Sequence, residues 1–139
     1  MHQFLFVYGT LRSGFTNPFA RRLQAQSILL GKGSTPGMLY DFGWYPGAIF
    51  RADARTRIIG ETFLLKAPER LLAQLDHYEG TEEPDTPFRR VAARVSLDRG
   101  GTLEAWTYEL NAAPGRRPLI GSGDFILHRR LREQRPLGS

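Results

Sequence analysis

A chain of 139 residues with 41% hydrophobic and 24% charged side chains has the size and composition of one folded domain, and wholesale disorder is excluded. It contains no cysteine, which removes disulfides, thiolate nucleophiles and Cys-ligated zinc together, and its three histidines, His2, His77 and His128, share no metal-ligand spacing, so no metal is expected. The net charge of +5 comes almost wholly from arginines dispersed along the chain, apart from Arg129-Arg130-Leu131-Arg132 and Arg135; this reads as a solvated face, and no nucleic-acid partner is expected.

The start, Met1-His2-Gln3-Phe4, has neither a basic n-region nor a small-residue cleavage site, and no apolar run nears the ~20 residues of a membrane helix. The expectation is a cytoplasmic protein with no membrane partner. Phe4 to Tyr8 is a continuous apolar run ended by Gly9, the pattern of a strand buried on both faces. After the turn Gly9 to Gly14, Asn17-Pro18 supplies an N-cap and a first-turn proline for a helix carrying Phe19 and Leu23 one turn apart. Gly31 and Gly33 break the pattern, and Gly31-Lys32-Gly33-Ser34 reads as a hairpin or loop glycine pair rather than a phosphate loop.

Met38-Leu39-Tyr40, Gly47 to Phe50 and Ile58 to Leu65 read as short strands between turn-forming clusters. Pro68-Glu69 opens a second helix with Leu71, Leu72 and Leu75 on one face, stopping near Gly80. An acidic, proline-containing loop follows from Thr81 to Pro87. Phe88 to Leu97 and Thr102 to Leu110 flank Asp98-Arg99-Gly100-Gly101 as a hairpin, Asn111 to Pro118 is irregular, and a last helix begins near Ser122 or Asp124. The predicted architecture is a single α+β domain over residues 1–139, a mixed, curved or barrel-like sheet with two or three helices, and a tail at about 136–139.

Two segments are candidates for chemistry. In Val7-Tyr8-Gly9-Thr10-Leu11-Arg12 a buried strand runs into a glycine turn ahead of a helix. Such a turn exposes successive backbone N–H groups that bind a carboxylate or oxyanion; it reads equally as simple punctuation at a strand end. In Leu75-Asp76-His77-Tyr78-Glu79-Gly80 two carboxylates stand in the last helical turn, where the macrodipole disfavours anions by about 0.3–1 kcal/mol. Glu79 is either a group poised to take up a proton or a solvated helix-end glutamate. Asp76 is open to a structural role, His77 reads as a surface residue, and Tyr78 as packed.

Taken in order, these segments resemble the γ-glutamylcyclotransferase-like family, particularly its short bacterial and γ-glutamylamine cyclotransferase-like members. Val7 to Arg12 resembles the family's substrate loop, and Leu75 to Gly80 the segment carrying its catalytic glutamate. Tyr45-Pro46-Gly47-Ala48, Gly60-Glu61-Thr62-Phe63, Ala105-Trp106-Thr107-Tyr108 and Gly121 to Phe125 are similar to its remaining landmarks, with Phe125 where Trp is more usual. Phe88-Arg89-Arg90 departs from the family's tyrosine-x-arginine by losing a phenolic hydroxyl.

The resemblance implies cyclisation of a γ-glutamyl amine or peptide to 5-oxoproline, with Glu79 as general base and acid and no cofactor. Tyr8, Gly9, Thr10, Leu11 and Arg12 would bind the substrate, Arg12 serving either as added charge or in a structural salt bridge. The acidic stretch Glu82-Glu83-Pro84-Asp85 leads to a further expectation, that a γ-glutamyl amine or short γ-glutamyl dipeptide, with a neutral or cationic leaving group such as the lysine side chain of a γ-glutamyl-lysine isopeptide, is preferred to glutathione. Two other readings stay open: a non-catalytic module binding a small anion on the same fold, and nucleic-acid binding through Arg129 to Arg135.

Overall fold

The computed structural model describes residues 3–79 and 87–133, without the side chain of Glu79. Strand β1 (Phe4–Val7) pairs antiparallel with β4 (Arg57–Leu65) on one side and parallel with β6 (Thr102–Leu110) on the other. Its central position explains the unbroken apolar run, since Leu5 and Val7 enter one buried cluster and Phe6 and Tyr8 the other.

Five strands close a ring. β2 (Ser27–Asp41) pairs with β4, β4 with β1, β1 with β6, β6 with β5 (Phe88–Leu97), and β5 returns to β2 at Gly33↔Leu97 and Ser34↔Ser96. Closure removes the exposed edge that a short open sheet would leave. β3 (Pro46–Phe50) lies outside the ring, antiparallel to the end of β2 from Gly37↔Phe50 to Asp41↔Pro46. Phe6, Leu39, Ile58, Val95 and Ala105, one from each ring strand, fill the interior with Ile120 and Phe125. The outer face, with Leu5, Val7, Phe63, Leu65, Tyr108 and Leu110, is covered by Leu23 of α1 (Pro18–Ala25) and by Leu71, Leu72 and Leu75 of α2 (Pro68–Glu79). Each fully buried leucine contributes about 2 kcal/mol of transfer free energy.

The eight residues of α1 are too few to hold a helix alone, so packing and its cap decide. Asn17 Oδ1 accepts from the Ala20 N–H at 2.9 Å, a contact worth about 1 kcal/mol, and its Nδ2 donates to the Thr10 carbonyl at 2.7 Å. One side chain thus caps the helix and pins the preceding loop. α3 (Phe125–Glu133) starts on Asp124, whose Oδ1 accepts from the N–H groups of Ile126 and Leu127.

The reading of Gly31 and Gly33 as a loop pair is corrected: both lie inside the fifteen-residue β2. The β2–β4 register shifts between Leu29 and Gly31, where Gly31 takes a φ of 126°. A bulge there bends β2, and further on a Cβ at Gly33 would fall 2.9 Å from the Ser96 carbonyl oxygen of β5. The glycines serve curvature and closure. The acidic loop at 81–86 and the tail at 136–139 lie outside the described residues. Within the described residues no helix is long and apolar enough to cross a membrane.

Candidate active site

The loop between β1 and α1 is held from below. Glu61 of β4 accepts from the Ser13 N–H at 2.6 Å and the Ser13 hydroxyl at 2.5 Å. The Arg12 N–H returns to the Gly9 carbonyl at 3.1 Å, and the Phe15 N–H to that of Arg12 at 2.9 Å. The Arg12 side chain turns inward, where Nη1 donates to Asp124 Oδ1 at 2.9 Å and Nε lies 3.7 Å from Glu61 Oε1. By contrast, the N–H groups of Gly9, Thr10 and Leu11 have no hydrogen-bond partner among the described residues.

Glycine at position 9 answers a packing demand: a Cβ there would sit 2.8 Å from the Pro46 ring. Gly60 meets a stricter one, since its Cβ would lie 2.3 Å from the Val7 carbonyl oxygen. Gly60-Glu61 therefore brings β4 against β1 and presents the carboxylate that fixes the loop.

Above this loop opens a cavity of about 250 Å³. Its floor is the run Phe6 to Leu11; its walls are Trp44 and Tyr45 from the β2–β3 turn, Pro46 at the start of β3, Tyr78 from α2, Pro87 and Phe88 at the start of β5, and Tyr108 of β6. No charged side chain lines it among the described residues. Tyr78 and Thr10 share a hydrogen bond at 3.2 Å between their hydroxyls, and the Tyr78 ring packs on Phe19 with centroids 4.3 Å apart. The Tyr8 hydroxyl donates to the Tyr108 carbonyl at 2.6 Å, and the Tyr108 hydroxyl to Asp76 Oδ1 at 2.8 Å. Arg90 Nε also reaches Asp76 at 2.9 Å while its guanidinium covers the Trp106 ring at 4.4 Å. Asp76 is thus a strut from α2 to β5 and β6.

Of the loop residues expected to bind substrate, Tyr8, Gly9, Thr10 and Leu11 line this cavity, whereas Arg12 is buried beneath it in its ion pairs. Glu79 is the last residue of α2, next to Tyr78; its side chain is outside the described residues. Trp44, Tyr45, Tyr78 and Tyr108 are not among the site residues expected from the sequence, whereas Phe88 stands there as a departure from a family motif that bears on specificity. Tyr45 and Tyr108 stood within recognisable motifs, and Tyr78 precedes Glu79, but aromatic residues more often mark a core than a pocket wall. Phe88, which carries a bare ring in place of a phenol, packs edge-on to Tyr45.

The β2–β3 turn is anchored by α3. Asp41 Oδ1 accepts from the Gly43 N–H at 2.7 Å, and Oδ2 lies 2.8 Å from His128 Nε2 and 3.0 Å from Arg132 Nη1. Burial pushes the Asp41 carboxyl up, but the bonds from His128 and Gly43 and the charges of Arg132 and His128 outweigh it and hold the group below its ordinary value. Arg132 is therefore engaged within the fold, as is Arg129, which reaches Glu133 and the rings of Phe15 and Phe125. Arg135 lies outside the described residues. No group of three or more potential metal-ligating side chains occurs among the described residues.

A closed five-strand mixed barrel with three helices and a glycine loop opening into an aromatic cavity defines the class of protein. Its family follows from the sequence match: the chain belongs to the γ-glutamyl cyclotransferase, AIG2-like family, whose model matches residues 5–127. It is 31% identical over 125 residues to a Methanocaldococcus jannaschii protein provisionally named a γ-glutamylcyclotransferase, covering 88% of this chain and 95% of that one. It is 32% identical over 109 residues to the γ-L-glutamyl-butirosin B γ-glutamyl cyclotransferase of Niallia circulans, covering 77% and 66% respectively. Among solved structures it is similar to YkqA from Bacillus subtilis, with a TM-score of 0.73 and 27% identity over 97% of this chain and 44% of that one.

Proposed function

We propose that the protein is a γ-glutamylcyclotransferase acting on a small γ-glutamyl amide, with Glu79 as its proton-transferring carboxylate. The observation that carries this reading is the set of three successive backbone N–H groups, Gly9 to Leu11, unpartnered among the described residues and belonging to residues that line a compact cavity. Such groups, held by Glu61 and Asn17 from behind, suit the α-carboxylate or the polarised carbonyl of a glutamyl group without any cationic side chain. Glu79 adjoins Tyr78, a wall residue that meets Thr10 across the cavity.

In the reaction the substrate's α-ammonium first releases one proton to solvent, and the neutral amine then attacks its own δ-carbonyl carbon while passing a second proton to Glu79. One C–N bond forms and closes the five-membered ring. The C–N bond to the leaving amine then breaks, and the proton held by Glu79 passes to that nitrogen. Products are 5-oxoproline and a free amine; no water is consumed and no electrons are exchanged. Both reacting groups belong to one molecule, so the protein's task is to hold a folded near-attack conformer and move one proton.

Recombinant protein incubated with a panel of γ-glutamyl amides should release 5-oxoproline, read by chromatography. Glu79→Gln should lower kcat by about 10²–10⁴-fold without a change in thermal midpoint. Asp76→Asn, which disturbs a strut, should lower stability more than turnover. Full activity of Glu79→Gln would refute the assigned role.

A further inference from the structure

We infer that Trp44 is the platform for the leaving amine and that it selects amines bearing an aromatic ring and no carboxylate; this inference rests on the cyclotransferase reading. Singly exposed apolar residues are ordinary on protein surfaces. Trp44 differs in that it lines the cavity while remaining 70% exposed, whereas Tyr8, Leu11, Phe88 and Tyr108 in the same cavity are buried. The indole therefore marks the mouth. With the glutamyl head held at the half-buried loop, a leaving group must extend from the compact cavity towards this ring.

The turn that carries the ring is held in place. Gly43 has a φ of 100° and donates to Asp41, while its carbonyl accepts from Arg132 Nη2 at 3.3 Å. The Phe42 N–H closes the turn on the Tyr45 carbonyl at 3.0 Å, and the Asp41 N–H bonds the Pro118 carbonyl at 2.9 Å. Trp44 then rests edge-on against Tyr45, centroids 4.7 Å apart, and Tyr45 packs on Phe88. An aromatic surface fixed before the ligand arrives loses little freedom on stacking. Arg117 and Arg132 reach this turn from outside, on Phe42 and on Asp41 and Gly43, and neither lines the cavity. A terminal carboxylate on the leaving group thus finds no counter-charge among the described lining residues.

The test compares kcat/KM for γ-glutamyl-benzylamide, γ-glutamyl-ethylamide, γ-glutamyl-phenylalanine, ε-(γ-glutamyl)-lysine and glutathione in the wild type, Trp44→Ala and Trp44→Phe. The benzylamide should be the best substrate. Trp44→Ala should lower its kcat/KM about five- to tenfold, leave the ethylamide within about twofold, and keep the thermal midpoint of an exposed-site variant; Trp44→Phe should recover most of the loss. A benzylamide-to-ethylamide ratio untouched by Trp44→Ala would overturn the inference alone, as would glutathione or the lysine isopeptide as best substrate. Turnover of none of the five would overturn the cyclotransferase reading and this inference with it.

Discussion

Replacing Arg12 by methionine separates the two roles its position allows. Arg12 is 2% exposed, and its guanidinium lies 2.9 Å from Asp124 Oδ1 and 3.7 Å from Glu61 Oε1. At an effective dielectric constant of 20, unit charges ~4 Å apart attract by about 4 kcal/mol, and removing one partner of a buried pair costs roughly 3–5 kcal/mol through the charge left behind. Two features set the cost near the lower bound. Glu61 keeps both bonds from Ser13, and Asp124 keeps those from the N-terminus of α3. Moreover Arg12 Nε has no hydrogen-bond partner among the described residues, so the native pair is itself imperfect. A loss of about 3 kcal/mol corresponds to a fall of roughly 10–15 °C in thermal midpoint for a chain of this size. Differential scanning calorimetry and urea titration measure it. A midpoint within about 3 °C of wild type, accompanied by a large rise in KM, would refute the structural assignment and return Arg12 to the substrate.

Gly60→Ala should be among the most damaging small changes, at about 3 kcal/mol or more, because its Cβ would collide with the Val7 backbone oxygen rather than with a movable side chain; a urea midpoint equal to wild type would contradict this. Asp41 gives a pH dependence of known sign. A carboxyl depressed in the folded state adds stability that is present above its ordinary value of 3.8 and is lost as pH falls through the lower folded value. Urea unfolding from about pH 2.5 to 6 should therefore show a steeper acid limb in wild type than in Asp41→Asn, and identical limbs would count against the His128–Asp41–Arg132 cluster as its source.

Several elements were legible because their causes are local. Asn17-Pro18 predicts a helix start through one cap bond spanning three residues, and the structure has that bond. Asp98 to Gly101 predicts the β5–β6 hairpin, whose register runs from Phe88↔Leu110 to Ser96↔Thr102. The unbroken run Phe4 to Tyr8 predicts a strand buried on both faces, and the helix with Leu71, Leu72 and Leu75 follows from its period. The motifs in their order also identify the family, which the match over residues 5–127 bears out.

The site's surroundings depend on register and closure, which no local pattern encodes. Gly31 and Gly33 look like a loop in sequence because glycine weakens a strand; only the return of β5 onto β2 shows that they shape one. Whether Arg12 meets substrate or an ion pair depends on Asp124, 112 positions away, and on which face of β4 presents Glu61. The cavity draws its walls from the β2–β3 turn, the end of α2, the start of β5 and β6, so Trp44, Tyr78, Phe88 and Tyr108 meet only once the ring has closed. Sequence determined the helix starts, the hairpin and the family, since caps, turns and hydrophobic period act over a few residues. Tertiary structure decided the cavity wall and the fate of Arg12, because ion pairing and burial depend on distances that only the closed barrel sets.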